Sequence, residues 1–492
     1  MCDDLSQQEQ VIHINAKSHE EKTEMNTKKR LSKFYPLATL VGFALLAASG
    51  VPTSPALARA EQKGGILLWE DRFGEPGKDE FAGFDAIVAG ERAVFVAGSV
   101  EDDFLVRAYG AEDGRLLWDD EFDRSGRIDS ALGITAASGK VFAVGGADFP
   151  PNSVRGIPLI RAYEGQTGRL LWQQEIADGQ GTFGHAIVHG ETVVAVGGNL
   201  AWLVQAYDAE TGTAQWGDRF GVGVSNRAIG VAEHAGRVFV GGRARPTTGA
   251  AINWFVRAYD ASSGNVLWED YAPAGIGGQV ISVAVEGNLL IATGSLLTRT
   301  TTPPFVNSDW RIRVYDSKTG SLQWEEIVDK GGHEFPEVAI DLAVLGGRAF
   351  VVGGGGPGCG LTVSGTDNCD FIVRAYDLGS GRLLWEDQLD RSPFDAVASV
   401  AAANGKVFAL GIGGNNCDNS GLTNCDLLIR AYKPNSGKVL WEAQVDSLGL
   451  HDDPSGVAAD GGRVFAAGFV VDPADFLSDL LIQAYVAGGD DD

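Results

Sequence analysis

Four cysteines, one histidine pair and a series of charged residues at the starts of short apolar runs are the residues here whose types and spacing could do chemistry. Cys359 with Cys369, and Cys417 with Cys425, each share one loop between apolar runs. In an oxidising compartment such pairs read as disulfides. Three connectivities exist, and confinement of each pair to one loop favours the two local links. A zinc site needs closer cysteine spacing and reducing surroundings. His185 and His189 stand four apart on an expected strand, about 13 Å at standard rise, too far for joint chelation. Asp85, Asp129, His185, Arg227, Gln279, Glu337, Asp395 and Asp453 recur where one repeat hands over to the next, and are expected as a solvated, mostly acidic rim. Asp367, Asn368, Asp370, Asp418 and Asn419 offer the hard oxygens calcium takes, without a recognisable loop pattern. Neither a GxSxG nucleophile turn nor an HExxH metal site occurs. No catalytic or metal-binding residue is assigned.

The elements that must position these residues are repeats. The phrase AYGAEDGRLLW at 108–118 returns as AYEGQTGRLLW, AYDAETGTAQW, AYDASSGNVLW, VYDSKTGSLQW, AYDLGSGRLLW and AYKPNSGKVLW, the last at 431–441. A period of about fifty residues filled with short apolar runs and glycine turns is the signature of small sheets arranged radially. Each period divides into four strands, in the second unit near 131–136, 141–145, 159–163 and 169–173. Gly114, Gly168, Gly212, Gly264, Gly320, Gly381 and Gly437 hold one position in the last hairpin, where a left-handed residue is needed. The strands are near-continuous apolar runs, as expected of blades buried on both faces.

Two half-copies flank the array. ILLW ends at Trp69 without a preceding tyrosine, and QAY ends at Tyr485 without a following tryptophan. Together they make an eighth blade shared by the two ends of the chain. The expected fold is therefore all-β: an eight-bladed propeller of four-stranded antiparallel blades, its last blade closed by the N-terminal strand from Ile66 to Phe73. Closure of this kind removes two strand edges that would otherwise template pairing with other chains.

Lys28, Lys29, Arg30 and Lys33 precede an apolar stretch at 36–49 and an Ala56-Leu57-Ala58 site, the three regions of a cleaved export signal. The signal starts naturally at Met25. The expected division is an upstream extension at 1–24, a signal peptide at 25–58, a short segment at 59–65, the propeller at 66–485 and an acidic tail at 486–492. The apolar stretch is short for a membrane span. The expectation is a soluble, monomeric protein of the periplasm or cell exterior. A net charge of −26 repels phosphate backbones and argues against nucleic acid as a partner. Arginine stands two residues before the repeat tyrosine in six units (Arg107, Arg161, Arg257, Arg313, Arg374, Arg430), with Gln205 and Gln483 in the other two. Its recurrence points to a structural pairing.

The phrase A-Y-D-x-x-T-G-x-x-x-W resembles the tryptophan-docking motif of the quinoprotein superfamily, over nearly all of 66–485. The resemblance implies that Trp69, Trp118, Trp172, Trp216, Trp268, Trp324, Trp385 and Trp441 dock neighbouring blades and bind no cofactor. The superfamily holds pyrroloquinoline quinone (PQQ) dehydrogenases and non-catalytic members similar to the BamB outer-membrane assembly scaffold. The dehydrogenases use calcium, a catalytic aspartate, an aromatic floor and commonly two adjacent cysteines. No adjacent cysteines occur here, and the calcium ligands and base fall on no motif. The resulting expectation is a non-catalytic scaffold for a protein or cell-envelope component, without a cofactor. The alternative is a PQQ-dependent, calcium-requiring dehydrogenase. Long loops at 296–309, 354–370 and 413–426, grouped on one face and braced by the cysteines, are the expected recognition surface.

Overall fold

The computed structural model describes residues 64–488 except 75–79, 91, 151–155, 178–180, 222–225, 246–251, 273–276, 300–305, 331–336, 357–368, 414–416, 418–424, 446–451, 461 and 472–476. The expected extension and export signal, the acidic tail beyond 488, and Cys359, Asp367, Asn368, Asp418 and Asn419 lie outside the described residues.

Eight antiparallel four-stranded sheets form a ring. Seven are continuous in sequence, at 80–122, 128–175, 183–220, 227–272, 277–328, 338–389 and 396–445, and we number them blades 1 to 7, with strands a to d running from the axis outward. Blade 8 combines Asp452–Asp460, Arg463–Val471 and Ser478–Val486 with Leu67–Phe73 as its outer strand. The closing ladder runs from Leu67 opposite Tyr485 to Phe73 opposite Leu480. It seals both strand edges that chain contiguity alone would leave open. Strand a carries a register shift in every blade, between Ala228 and Gly230 in blade 4 for instance, which bends it around the axis.

The repeated tryptophan joins each blade to the next. Trp118 of blade 1 donates its Nε1 hydrogen to Gly165 O of blade 2 at 2.9 Å, and Trp69, Trp172, Trp216, Trp268, Trp324, Trp385 and Trp441 make the equivalent bond. Each indole lies on the hairpin glycine of the neighbour. At Gly168, φ is +71° and an added Cβ would sit 2.6 Å from the Trp118 ring. Thus the glycine answers two demands, a left-handed turn and a flat seat. The last seat is made by the other end of the chain, since Trp441 packs on Gly64 and Gly65 and Gly65 N bonds Val486 O.

The arginines find their partners across the same seam. Arg161 of blade 2 reaches Asp120 of blade 1 at 3.0 Å, and Tyr163 donates to the same carboxylate at 2.9 Å. Arg257, Tyr259 and Asp218 repeat this arrangement, as do Arg313, Tyr315 and Asp270, and Arg430, Tyr432 and Asp387. Arg374 pairs with Glu326 and Arg107 with Asp71. Where Gln205 and Gln483 replace arginine, the position facing them across the seam is Gln174 or Ala443. Cation and anion are therefore kept or lost together, as a buried pair requires, because either charge alone would be desolvated without compensation. Burial pushes the Tyr163 and Tyr259 phenols up, so both hydroxyls remain donors throughout the physiological range.

This pairing makes a direct test. Arg161→Gln should cost about 2 kcal/mol, below the range for fully buried pairs because Asp120 is a quarter exposed. Adding Asp120→Gln should recover most of that loss, because the double variant copies the seam at Gln205 and Gln174. Additive losses in chemical denaturation would rule out the coupling.

Candidate functional site

All connections from strand d to the next strand a, and from strand b to strand c, emerge on one face. Asp129, Glu337 and Asp395, expected on a solvated rim, are instead buried, at 0, 1 and 0% exposure. Each ties the incoming d-to-a connection to its surroundings. Asp129 accepts from Arg124 N and Asp148 N, both at 2.6 Å. Glu337 accepts from Lys330 N at 2.8 Å and Gly356 N at 3.4 Å, and Asp395 from Arg391 N, Ser392 N and the Ser392 hydroxyl. Asn226 takes the same place in blade 4, bonding Gly221 O and Arg245 N. Spacing alone could not separate this bracket from the rim, because both place a polar residue just ahead of strand a.

His185 lies elsewhere, at the register shift of strand a in blade 3. The equivalent residues Gly133, Gly230, Ser282, Asp341, Ser399 and Gly456 line the throat of the ring. Asp341 ties three blades together there, accepting from the hydroxyls of Ser282 and Ser399, both at 3.1 Å, and from Val400 N at 2.9 Å. Asp85 makes the backbone bridge to Gly133 that joins blades 1 and 2. Arg227, Gln279 and Asp453 lie at or near the start of strand a of blades 4, 5 and 8.

Three-dimensional proximity also reveals acidic triads that sequence reading missed. The carboxylates of Asp103, Asp123 and Asp129 lie within 4.8 Å of one another, and so do those of Asp309, Asp329 and Glu337. The members are equivalent in the repeat: four residues before the arginine, five after the tryptophan, and at or just ahead of the start of the next strand a. Asp370, Asp390 and Asp395 occupy the same places in blades 6 and 7. The signal was present, in three short offsets separated by a whole strand, and it appears once the repeats are aligned on tryptophan and arginine together. Three oxygens converging in a half-buried recess could hold a hard cation such as calcium. Desolvation, together with the neighbouring Asp329, raises the Asp309 carboxyl above its ordinary range. Burial does the same at Asp129, Asp370 and Asp395.

A raised carboxyl contributes its stability below its unfolded pKa and loses it as pH rises through the folded value. Asp309→Asn should therefore stabilise the protein at pH 7, by up to about 1 kcal/mol on the scale of a partly screened charge contact. The gain should fade toward pH 4. Melting temperatures of the variant and parent across that interval provide the check, and a loss at pH 7 would contradict it.

Cys417 and Cys425 form a disulfide with Cα atoms 4.4 Å apart, and both are fully buried. Their carbonyls accept from Phe394 N and Asp452 N, so the bridge braces the entry to blade 7 and the seam to blade 8. Cys369 is also disulfide-bonded, and its backbone bonds Pro393 and Asp395. Among the described residues, no helix is long and apolar enough to cross a membrane.

At the axis, a cavity of about 220 Å³ is lined by Ile87, Val88, Ile134, Ser399, Gly456 and Val457. PQQ is a flat tricarboxylate that needs cationic partners and an aromatic or otherwise planar face. This aliphatic lining supplies neither, and the nearby Asp341 carboxylate is engaged by hydroxyls and backbone amides. The residues lining this cavity do not fit the cofactor.

Eight blades, tryptophan seams and a split closing blade define a propeller of the quinoprotein type. The chain belongs to the family described as outer membrane protein assembly factor BamB, whose profile matches residues 53–203 and 201–415. None of the curated proteins matches it significantly. Among solved structures, a europium-containing methanol dehydrogenase is 13% identical with a TM-score of 0.54, over 85% of this chain and 93% of that one. A quinohemoprotein alcohol dehydrogenase from Pseudomonas putida HK5 is 14% identical with a TM-score of 0.52, over 86% and 76%. BamB from Moraxella catarrhalis is 14% identical with a TM-score of 0.48, over 85% and 97%. At such identity the two dehydrogenase likenesses establish the fold alone.

Proposed function

We propose that this chain is an exported, non-catalytic propeller that binds a protein or cell-envelope component. Membership of a family described as an outer membrane protein assembly factor carries the reading. The cavity lined by Ile87, Ile134 and Val457 favours it over the dehydrogenase alternative, because that lining offers a quinone no charged partner. The recognition surface is the face of the b-to-c connections in blades 5 to 7. Disulfides anchor it at Cys369 and at Cys417 with Cys425, limiting the entropy lost when a partner docks.

Titration with PQQ and calcium, followed by a dye-linked alcohol and sugar oxidation assay, tests the reading. We expect neither saturable binding nor turnover. Micromolar or tighter PQQ binding with turnover would sink the scaffold reading. Shortening 296–309, 354–370 and 413–426 should reduce retention in the cell-envelope fraction while the ring melts near its parent temperature. Retention unaffected by all three truncations would move the interface elsewhere.

A further inference from the structure

We propose that the aspartates at 490–492, outside the described residues, dock on Lys406 and the neighbouring Lys433, supplying the acidic part of the hairpin that the split blade 8 lacks. Lys406 opens strand b of blade 7 and is only 4% exposed. Among the described residues, nothing accepts a hydrogen bond or an ion pair from its amine. A lysine so enclosed calls for a counter-charge, because an ammonium withdrawn from water is costly unless it is paired.

The repeat shows which way this lysine faces. Phe408 and Leu410, two and four residues further along the same strand, pack with Val464, Tyr485 and Ala487 of blade 8. Alternation along a strand puts Lys406 on that face too. Its equivalent in blade 2, Lys140, reaches across the corresponding seam to Glu210 in the c-to-d hairpin of blade 3, at 2.7 Å. The two seams match through their tryptophans, since Trp172 donates to Ala209 O and Trp441 to Ala487 O, both at 3.2 Å. Glu210, which follows Ala209, therefore corresponds to Gly488, which follows Ala487.

Two acids that meet a basic residue at this place in other blades are replaced here. The cross-strand position holds Glu164 opposite Lys140, Asp260 opposite Arg237 and Asp377 opposite Arg348. In blade 7 the register sets Val407 opposite Tyr432, which brings Lys433 to that position and adds a second cation. Across the seam, Val486 and Gly488 stand where blade 3 has Asp208 and Glu210. The hairpin glycine of the split blade is already supplied from the other side of the break by Gly65, with φ +76° against the Trp441 ring. Only its acid is wanting. Asp490 follows Gly488 by two residues, no more than about 7 Å of extended chain, which lets its carboxylate reach the seam that Lys406 faces. Tethering favours these aspartates over a free anion, because attachment holds them at a high effective concentration.

The test uses the mature full-length chain, with Asp490→Asn, Asp491→Asn and Asp492→Asn introduced together so that its length is kept. At low salt the melting temperature should fall by about 2 °C or more. In about 1 M sodium chloride, where charges are screened beyond about 3 Å, the difference should shrink. Lys406→Met removes the amine and keeps an unbranched stem, so the three Asn substitutions should become silent in that background. In a Lys140→Met background, where the altered seam has its own acid in Glu210, they should cost as much as in the parent. A local readout accompanies melting: acetylation of the Lys406 amine, followed by mass spectrometry, should rise several-fold when the aspartates are neutralised. Equal melting losses in the parent and Lys406→Met backgrounds, or unchanged acetylation of Lys406, would overturn the proposal. So would a silent triple substitution beside a destabilising Lys406→Met, which would assign the amine to an acidic group of a partner instead. The scaffold reading is tested separately by the quinone titration and stands or falls without this result.

Discussion

Deleting residues 64–73 will open the ring. The deletion removes the outer strand of blade 8, exposes the edge of Ser478–Val486, and takes away Trp69, which is 8% exposed and bonded to Ala111 O of blade 1. It also removes Gly64 and Gly65, the seat of Trp441. Loss of one buried tryptophan from a core costs about 3–5 kcal/mol, and here two tryptophan seams fail together with a whole ladder. The expected outcome is aggregation or a collapse of the melting transition, read by size-exclusion chromatography and calorimetry. A rescue separates closure from simple loss of contacts. Moving 64–73 to follow Ala487 should restore the fold, because Gly65 N already lies 2.9 Å from Val486 O. A deletion variant that melts like its parent would refute closure by this strand.

Gly168→Ala should be far more damaging than Gly139→Ala, although both glycines have φ near +70°. The left-handed conformation costs an alanine about 1–2 kcal/mol at either place. An added Cβ at Gly139 meets nothing within 4 Å, whereas at Gly168 it meets the Trp118 ring at 2.6 Å. Displacing that indole adds overpacking of about 1–3 kcal/mol and strains its bond to Gly165 O. A total near 2–5 kcal/mol is therefore expected for Gly168→Ala, against about 1–2 for Gly139→Ala. Equal losses in chemical denaturation would mean that the hairpin needs glycine only for its turn, and that the tryptophan seam tolerates displacement.

Much of this protein could be read from its residues in order. The eleven-residue phrase gave blade number, strand order and the split closing blade, because each blade repeats the same local demands: a turn glycine, a buried tyrosine and an outer strand that carries its tryptophan near its start. The structural role of the arginines was legible too, since a residue repeated in six blades answers a need that every blade has.

What stayed hidden depends on contacts between units. The partner of Arg161 is Asp120, in the preceding blade, and the paired replacement at Gln205 and Gln174 has meaning only once the two strands face each other across a seam. The same holds for the residues ahead of strand a. Asp129 and Asp395 look like rim charges in the sequence, and burial turned them into brackets for connecting loops. The acidic triads gather positions separated by a strand and a loop. Sequence by itself determined the local grammar of one blade and how many times it is spoken, because backbone conformation and side-chain burial within a blade are nearest-neighbour properties. Only the tertiary structure decided which charges meet, because radial packing brings together side chains some forty residues apart, and the energy of a charge depends on what lies within a few ångströms of it.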